Sequence, residues 1–248
     1  MENKQSKKGQ RIAKVIANSG YCSRREAERL IEDSLVKVNG KIIDSPAILI
    51  TDQSIKINNK LINPKQNPKI WILHKPKNTI VSNSDPQNRK TIFEILPENL
   101  PRVITIGRLD INTEGLLLLT NNGDIARYIE LPKTAWSRVY RARVFGKVNM
   151  DELSKLQKGI KIDGTKYGAI KVEMEREGDF NSWLKVTLKE GKNREIKKVL
   201  EHFGLQVNRL IRISFGPFHL GSLSVGQVKK TDDKVLENFL EKDFINSL

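Results

Sequence analysis

Between Gly107 and Glu114 the chain places Arg108, Asp110, Asn112, Thr113 and Glu114 close together, then runs into Leu116, Leu117, Leu118 and Leu119. So dense a polar set suits no buried strand, whereas the leucine run does. A carboxylate on a loop pinned by a core strand is both reachable and fixed, as general-base or nucleophilic work requires. Asp110 is therefore the first candidate catalytic group, and Gly115 bends the backbone just before the strand. A solvated surface turn carries the same residue types, so the reading depends on what the rest of the chain supplies.

Around this loop the sequence predicts a sheet. Ile70 to Leu73 read as a short strand entering the turn Lys75-Pro76-Lys77-Asn78, and residues 136–144 alternate apolar and basic side chains, as a half-buried strand with one basic side would. A short helix is expected over 151–157, with strands over 160–162, 170–174 and 183–188. Ile196, Val199, Leu200 and Phe203 give the next segment a helical stripe, with Gly204 as its C-cap. Upstream, Ile12, Val15 and Ile16 share a helical face over residues 10–18, ending near Gly20. Ser23 with Glu26 forms a capping box for a second helix that buries Ala27, Leu30 and Ile31 and turns Arg24, Arg25 and Arg29 elsewhere. From Leu35 to Ile57 the period is two, broken at Asn39-Gly40 and Asn58-Asn59, as in short strands joined by tight turns.

Lys and Arg number 44 against 29 Asp and Glu, a net charge of +15. Such an excess points to a polyanion, nucleic acid or an anionic membrane surface. No apolar run approaches the roughly 18 residues of a spanning helix, and the basic positions are dispersed instead of forming one amphipathic stripe, which favours nucleic acid over membrane. Cys22 is the only cysteine, so an intrachain disulfide is excluded and a reducing cytoplasm is expected. Cys22 itself reads as a packing residue. His74, His202 and His219 lack metal-ligand spacing, and no metal is expected. Residues 1–9 read as a flexible basic arm rather than a secretory signal, and Pro64 to Pro68 as a linker.

The run Gly107-Arg108-Leu109-Asp110 through Thr113, Gly115 and Leu116 to Thr120 resembles the signature of the pseudouridine synthases that modify ribosomal RNA, the family of the small-subunit enzyme A and the large-subunit enzymes B, E and F. Tyr21 to Ile31 followed by Val36-Lys37-Val38-Asn39-Gly40 resembles the small RNA-binding domain of the ribosomal protein S-four type. Lys75-Pro76-Lys77-Asn78 resembles the K-P-x-G turn of the synthase family, so Asn78 there and Ser34 in the RNA-binding domain stand where those patterns carry glycine, and both would tolerate φ > 0 less well than glycine, Asn78 only mildly so. In domain order the chain resembles the large-subunit enzyme B most.

The resemblance implies an α+β protein: a helix-helix-strand RNA-binding domain over 10–63, a catalytic domain with a mainly antiparallel sheet over 69–231, and a C-terminal helix over 232–248. It makes Asp110 the catalytic residue, Tyr140 the active-site tyrosine that stacks on the flipped base, and Lys197 the cation paired with Asp110, with Lys198 and Arg108 as rivals. Candidate RNA contacts are Arg11, Lys14, Arg24, Arg25, Arg29, Arg108, Arg194, Lys198, Arg209 and Arg212. Isomerising uridine breaks the bond from C1′ to N1 and rejoins the base through C5 without net redox change, so no cofactor is expected. Attack at C1′, attack at C6 and proton removal from C2′ all remain open for Asp110. The expected partner is ribosomal RNA, 23S before 16S, and the expected state a monomer. A non-catalytic assembly factor and a glycosidase with Glu114 as second carboxylate are the alternatives from other classes.

Overall fold

The computed structural model describes residues 9–63, 66–131 and 134–239. The expected basic arm up to residue 8, Pro64 and Lys65 of the expected linker, and residues 240–248 of the expected terminal helix lie outside them. The chain divides into two compact units, one holding residues up to Pro68 with Asn99–Ile104 and Asn121–Gly123, the other holding the rest.

In the first unit, β1 (Gln10–Arg11) precedes α1 (Ile12–Asn18) and α2 (Arg24–Glu32), followed by β2 (Val36–Val38), β3 (Lys41–Ile42), β4 (Leu49–Ile50), β5 (Ile55–Ile57) and β6 (Lys60–Leu61). The helix expected from residue 10 starts two residues later, because Gln10 and Arg11 pair with Ile50 and Leu49 as a strand. The Ser23 hydroxyl accepts the Glu26 amide at 3.1 Å and starts α2, while α1 runs out at Ser19 before Gly20 at φ 82°. Ile12, Ile16, Ala27, Ile31, Val36, Ile55 and Ile57 form a fully buried core, with Cys22 packed against it. Burial pushes the Cys22 thiol up to about 11, helped by Glu26 and opposed by Arg102, so it is an inert packing group. Ser34 takes φ 59°, the left-handed geometry that glycine would adopt more easily.

The second unit is built on a sheet of β7 (Ile70–Lys75), β8 (Ile104–Ile106), β9 (Thr113–Thr120), β10 (Arg138–Phe145), then, after the small hairpin β11 (Ile160–Ile162) and β12 (Thr165–Tyr167), of β13 (Ile170–Arg176), β14 (Asn181–Leu188), β15 (Gln206–Phe215), β16 (Phe218–His219) and β17 (Val228–Lys230). The strand order is β13-β14-β10-β15-β9-β7-β17, with β16 on β15 and β8 on β9. The β15–β9 pair is parallel, and the other pairs along this order are antiparallel. Leu116 to Leu119 are fully buried, as their run predicts. Its helices are α3 (Gly123–Glu130), α4 (Met150–Ser154), α5 (Glu195–His202) and α6 (Asp233–Phe239). Gly204 ends α5 at φ 72° and donates its amide to the Glu201 carbonyl.

Two sequence expectations change here. Thr113 and Glu114, assigned to the polar loop, lie inside β9 and are buried. The side chain that makes a buried Glu114 tolerable, Arg209, is distant in sequence and invisible to a local reading.

Candidate active site

One register row carries the site across four strands. Lys75 on β7 pairs with Gly115 on β9, Gly115 with Arg212 on β15, and Arg212 with Tyr140 on β10. Paired residues point to the same face, so Lys75, Arg212 and Tyr140 share one side of the sheet. A bulge between Val139 and Tyr140 brings Tyr140 opposite Arg212 instead of Ile213. Gly115, at φ 104°, could carry no side chain, since a Cβ would collide with the Arg212 backbone.

Asp110 lies half-buried in the loop between β8 and β9, where its carbonyl accepts the Thr113 amide at 3.0 Å. Lys75 braces this loop from below. Its side chain is fully buried, and its ammonium donates to the carbonyls of Pro76 at 3.0 Å, Ile111 at 3.2 Å and Thr113 at 3.0 Å. Asn78, left-handed at φ 58°, adds its amide to the Ile111 carbonyl at 2.9 Å. The residues that follow Asp110 in the loop are thus held through their backbone, which leaves the carboxylate itself available.

Two buried cations feel that carboxylate. Burial pushes Lys75 down to about 8, against the pull of Asp110 and then Glu114, with Lys197 adding to the depression. Burial also lowers Lys197, again opposed first by Asp110. Lys197 sits in the first turn of α5 at 7% exposure, whereas its rivals Lys198 and Arg108 are exposed. Arg194, exposed and left-handed at φ 52°, turns the chain into α5.

Tyr140 is buried beside two arginines that differ in use. Arg138 donates to the Lys189 carbonyl at 2.6 Å and lies 4.5 Å above the Phe215 ring; burial lowers its pKa, opposed by Tyr140 and Glu195. Arg212, expected among the RNA contacts, is only 3% exposed and donates Nε to the Leu116 carbonyl at 2.7 Å. That burial sets it in the wall beside Tyr140 instead of among the exposed basic residues. Its Nη2, like Oε1 of Glu195, is buried without a hydrogen-bond partner. Glu195 is raised to about 7, first by burial and then by Glu190, while Lys192 opposes the shift.

The remaining candidates are distributed. Arg209 engages Glu114 through Nε at 3.0 Å and Nη2 at 2.8 Å, and Lys77 approaches the same carboxylate at 3.5 Å. Burial would raise Glu114, but these cations more than offset it and hold the carboxyl below its ordinary value. Glu114 is therefore an ion-pair partner, unsuited to a second catalytic carboxylate. In the first unit Arg11, Arg24, Arg25 and Arg29 are exposed and Lys14 is half-buried. Sequence reading gave no site role to Lys75; its signal was a lone lysine ending an apolar strand directly before proline.

Comparison with known proteins follows the same division. Residues 69–202 match the RNA pseudouridylate synthase family and residues 10–52 the S4 domain. A Rickettsia felis protein named as an uncharacterized RNA pseudouridine synthase is 48% identical over 229 residues, 92% of this chain and 99% of the relative. The ribosomal large subunit pseudouridine synthase B of Yersinia pestis is 33% identical over 219 residues, 86% of this chain and 69% of the relative. A crystal structure of a pseudouridylate synthase matches with a TM-score of 0.66 at 27% identity, over 93% of this chain and 99% of that one.

Proposed function

Since the chain belongs to the RNA pseudouridylate synthase family, isomerases that act on RNA, we propose that it converts defined uridines of 23S ribosomal RNA to pseudouridine, with Asp110 as catalytic carboxylate. The observation that carries this reading is the placement of Asp110 on a backbone-braced loop within the field of two buried lysines, Lys75 and Lys197. In this role the carboxylate opens the bond from C1′ to N1, the freed base turns, and C5 joins C1′ while its proton is lost and one is gained at N1. Lys197 supplies positive charge beside Asp110, and the ring of Tyr140 holds the base between cleavage and rejoining. No redox partner enters, because the atoms of substrate and product are the same.

The S4 domain and the exposed Arg11, Arg24, Arg25 and Arg29 support recognition of structured RNA by the first unit. The large-subunit name of the Yersinia pestis relative favours 23S over 16S RNA. The protein acts in the cytoplasm, as a monomer. Pseudouridine mapping of ribosomal RNA from cells with and without the gene tests the proposal. One or more 23S positions should disappear and return with the wild-type gene. Loss confined to 16S RNA would transfer the substrate to the small subunit, and unchanged maps would overturn the assignment to ribosomal RNA.

A further inference from the structure

On the side of β10 opposite Tyr140, the strand presents Arg141, Arg143 and Phe145 outward while Tyr140, Ala142 and Val144 are buried. Arg143 is in register with Trp183 on β14 and with Arg209 on β15, and Trp183 with Arg176 on β13. Three arginines and a tryptophan thus form a single row across four strands. They line a cavity of about 300 Å³ together with Gly178 and Asn181.

The electrostatics of this cavity are unbalanced. Arg209 is committed to Glu114, and Arg141, which lies 4.8 Å over the Trp183 ring, pairs with Glu175. Arg143 and Arg176 are exposed and form no ion pair or hydrogen bond among the described residues. Two unneutralised guanidinium groups flanking an indole call for a ligand with both an anion and a flat π-face. Further aromatic surface lies at the rim: Phe145, 46% exposed, is in register with Asn181, and Phe180, 72% exposed, precedes it in sequence. Exposed aromatic rings among arginines are the chemistry of single-stranded RNA, whose bases stack while the phosphates take the cations. An acidic polypeptide would use the arginines but has no use for the three aromatic rings. A cavity of this volume is at the lower end of those that enclose a small ligand, which suits one nucleotide.

We propose that Arg143, Arg176 and Trp183 form a second RNA site, distinct from the Asp110 site, that takes one unpaired nucleotide of the substrate outside the target uridine. The site rests on the reading that the substrate is RNA. It acts as an anchor: it lowers KM without entering the chemical step. Its connection to the catalytic unit is Arg209, which lines the cavity and holds Glu114, four positions beyond Asp110.

The test uses the full-length protein and a short, unstructured RNA oligonucleotide, followed by kinetics on ribosomal RNA. Trp183 is one of three tryptophans, and Trp71 is buried. RNA should quench the wild-type fluorescence, and Trp183→Phe should remove most of that quench. Arg143→Gln with Arg176→Gln should weaken oligonucleotide binding about tenfold at physiological salt and make the salt slope shallower by roughly 1.4, about 0.7 for each lost single-strand contact. With ribosomal RNA the same variant should raise KM and keep kcat. Unchanged affinity and slope in the double variant, or an undiminished quench in Trp183→Phe, would overturn the second site and leave the patch to a protein partner. Wild-type turnover on ribosomal RNA separates the two readings: its absence would refute the proposed function, while the oligonucleotide titration would still report on the cavity.

Discussion

Replacing Lys75 with methionine removes a buried side chain that ties the Asp110 loop to β7. The stem packs much as before, but the carbonyls of Pro76, Ile111 and Thr113 lose their shared donor. Two of them keep another partner, Pro76 through the Thr79 hydroxyl at 2.8 Å and Ile111 through the Asn78 amide at 2.9 Å. The cost per carbonyl therefore falls near the ordinary value of about 1 kcal/mol rather than the larger one for a stranded buried group, about 3 kcal/mol in all. For a unit of this size that lowers Tm by roughly 6–12 °C at alkaline pH, and by less near pH 7, where the desolvated ammonium already costs the wild type stability. A loop displaced by even about 1 Å also loses catalytic alignment, and kcat should fall by roughly a hundredfold. Lys75 adds a pH signature as well. Its folded pKa of about 8 lies below the ordinary 10.5, so between these values the unfolded chain binds more protons and wild-type stability rises with pH. The methionine variant should lack that rise. Thermal melts from pH 7 to 10.5 and single-turnover assays check both effects. A Tm within 2 °C of wild type at the alkaline end of that range with kcat within about twofold would refute the brace, since a tenfold rate change already requires only about 1.4 kcal/mol.

Glu195, buried and raised to about 7 by burial and by Glu190, holds its proton more tightly in the folded chain than in the unfolded one, so it costs stability as pH rises from about 4.5 to 7. Glu195→Gln should remove that loss, and urea titrations should find the variant gaining on wild type across this window; a constant difference would contradict it. Tyr140→Phe should retain more turnover than Tyr140→Ala if the ring stacks on the base, whereas equal losses would assign the role to the hydroxyl. Arg24→Glu with Arg25→Glu should make the salt slope of ribosomal RNA binding shallower by roughly 1.4–1.8 without a change in Tm, because both side chains are exposed. An unchanged slope would exclude this helix start as an RNA contact.

Local rules made much of the fold legible. The Ser23 cap, the buried faces of α1 and α2, the alternation of β10 and the leucine run of β9 depend on neighbours a few positions away, and all of them form. What the sequence concealed depends on distant partners. Gln10 and Arg11 extend because Leu49 and Ile50 offer an edge, and Glu114 enters a strand because Arg209 neutralises it. Arg212 looked like Arg209, three positions earlier and equally basic, but the strand alternation turns it inward. Lys75 escaped for the opposite reason: its neighbours marked it as a turn residue, and only the folded loop shows three carbonyls converging on its ammonium. Of the two buried lysines that respond to the charge of Asp110, the family resemblance had already named Lys197, whereas Lys75 emerges only when β7 and the loop come together.

The central claim is that Asp110 is the carboxylate on which uridine isomerisation depends, and release of tritium from C5-labelled uridine in ribosomal RNA measures it directly. Asp110→Asn keeps the size of the side chain and, with the loop held through backbone bonds, should keep Tm and RNA affinity. Release should fall by at least about a hundredfold, near 3 kcal/mol of barrier. Turnover within tenfold of wild type in a folded, RNA-binding variant would contradict the account.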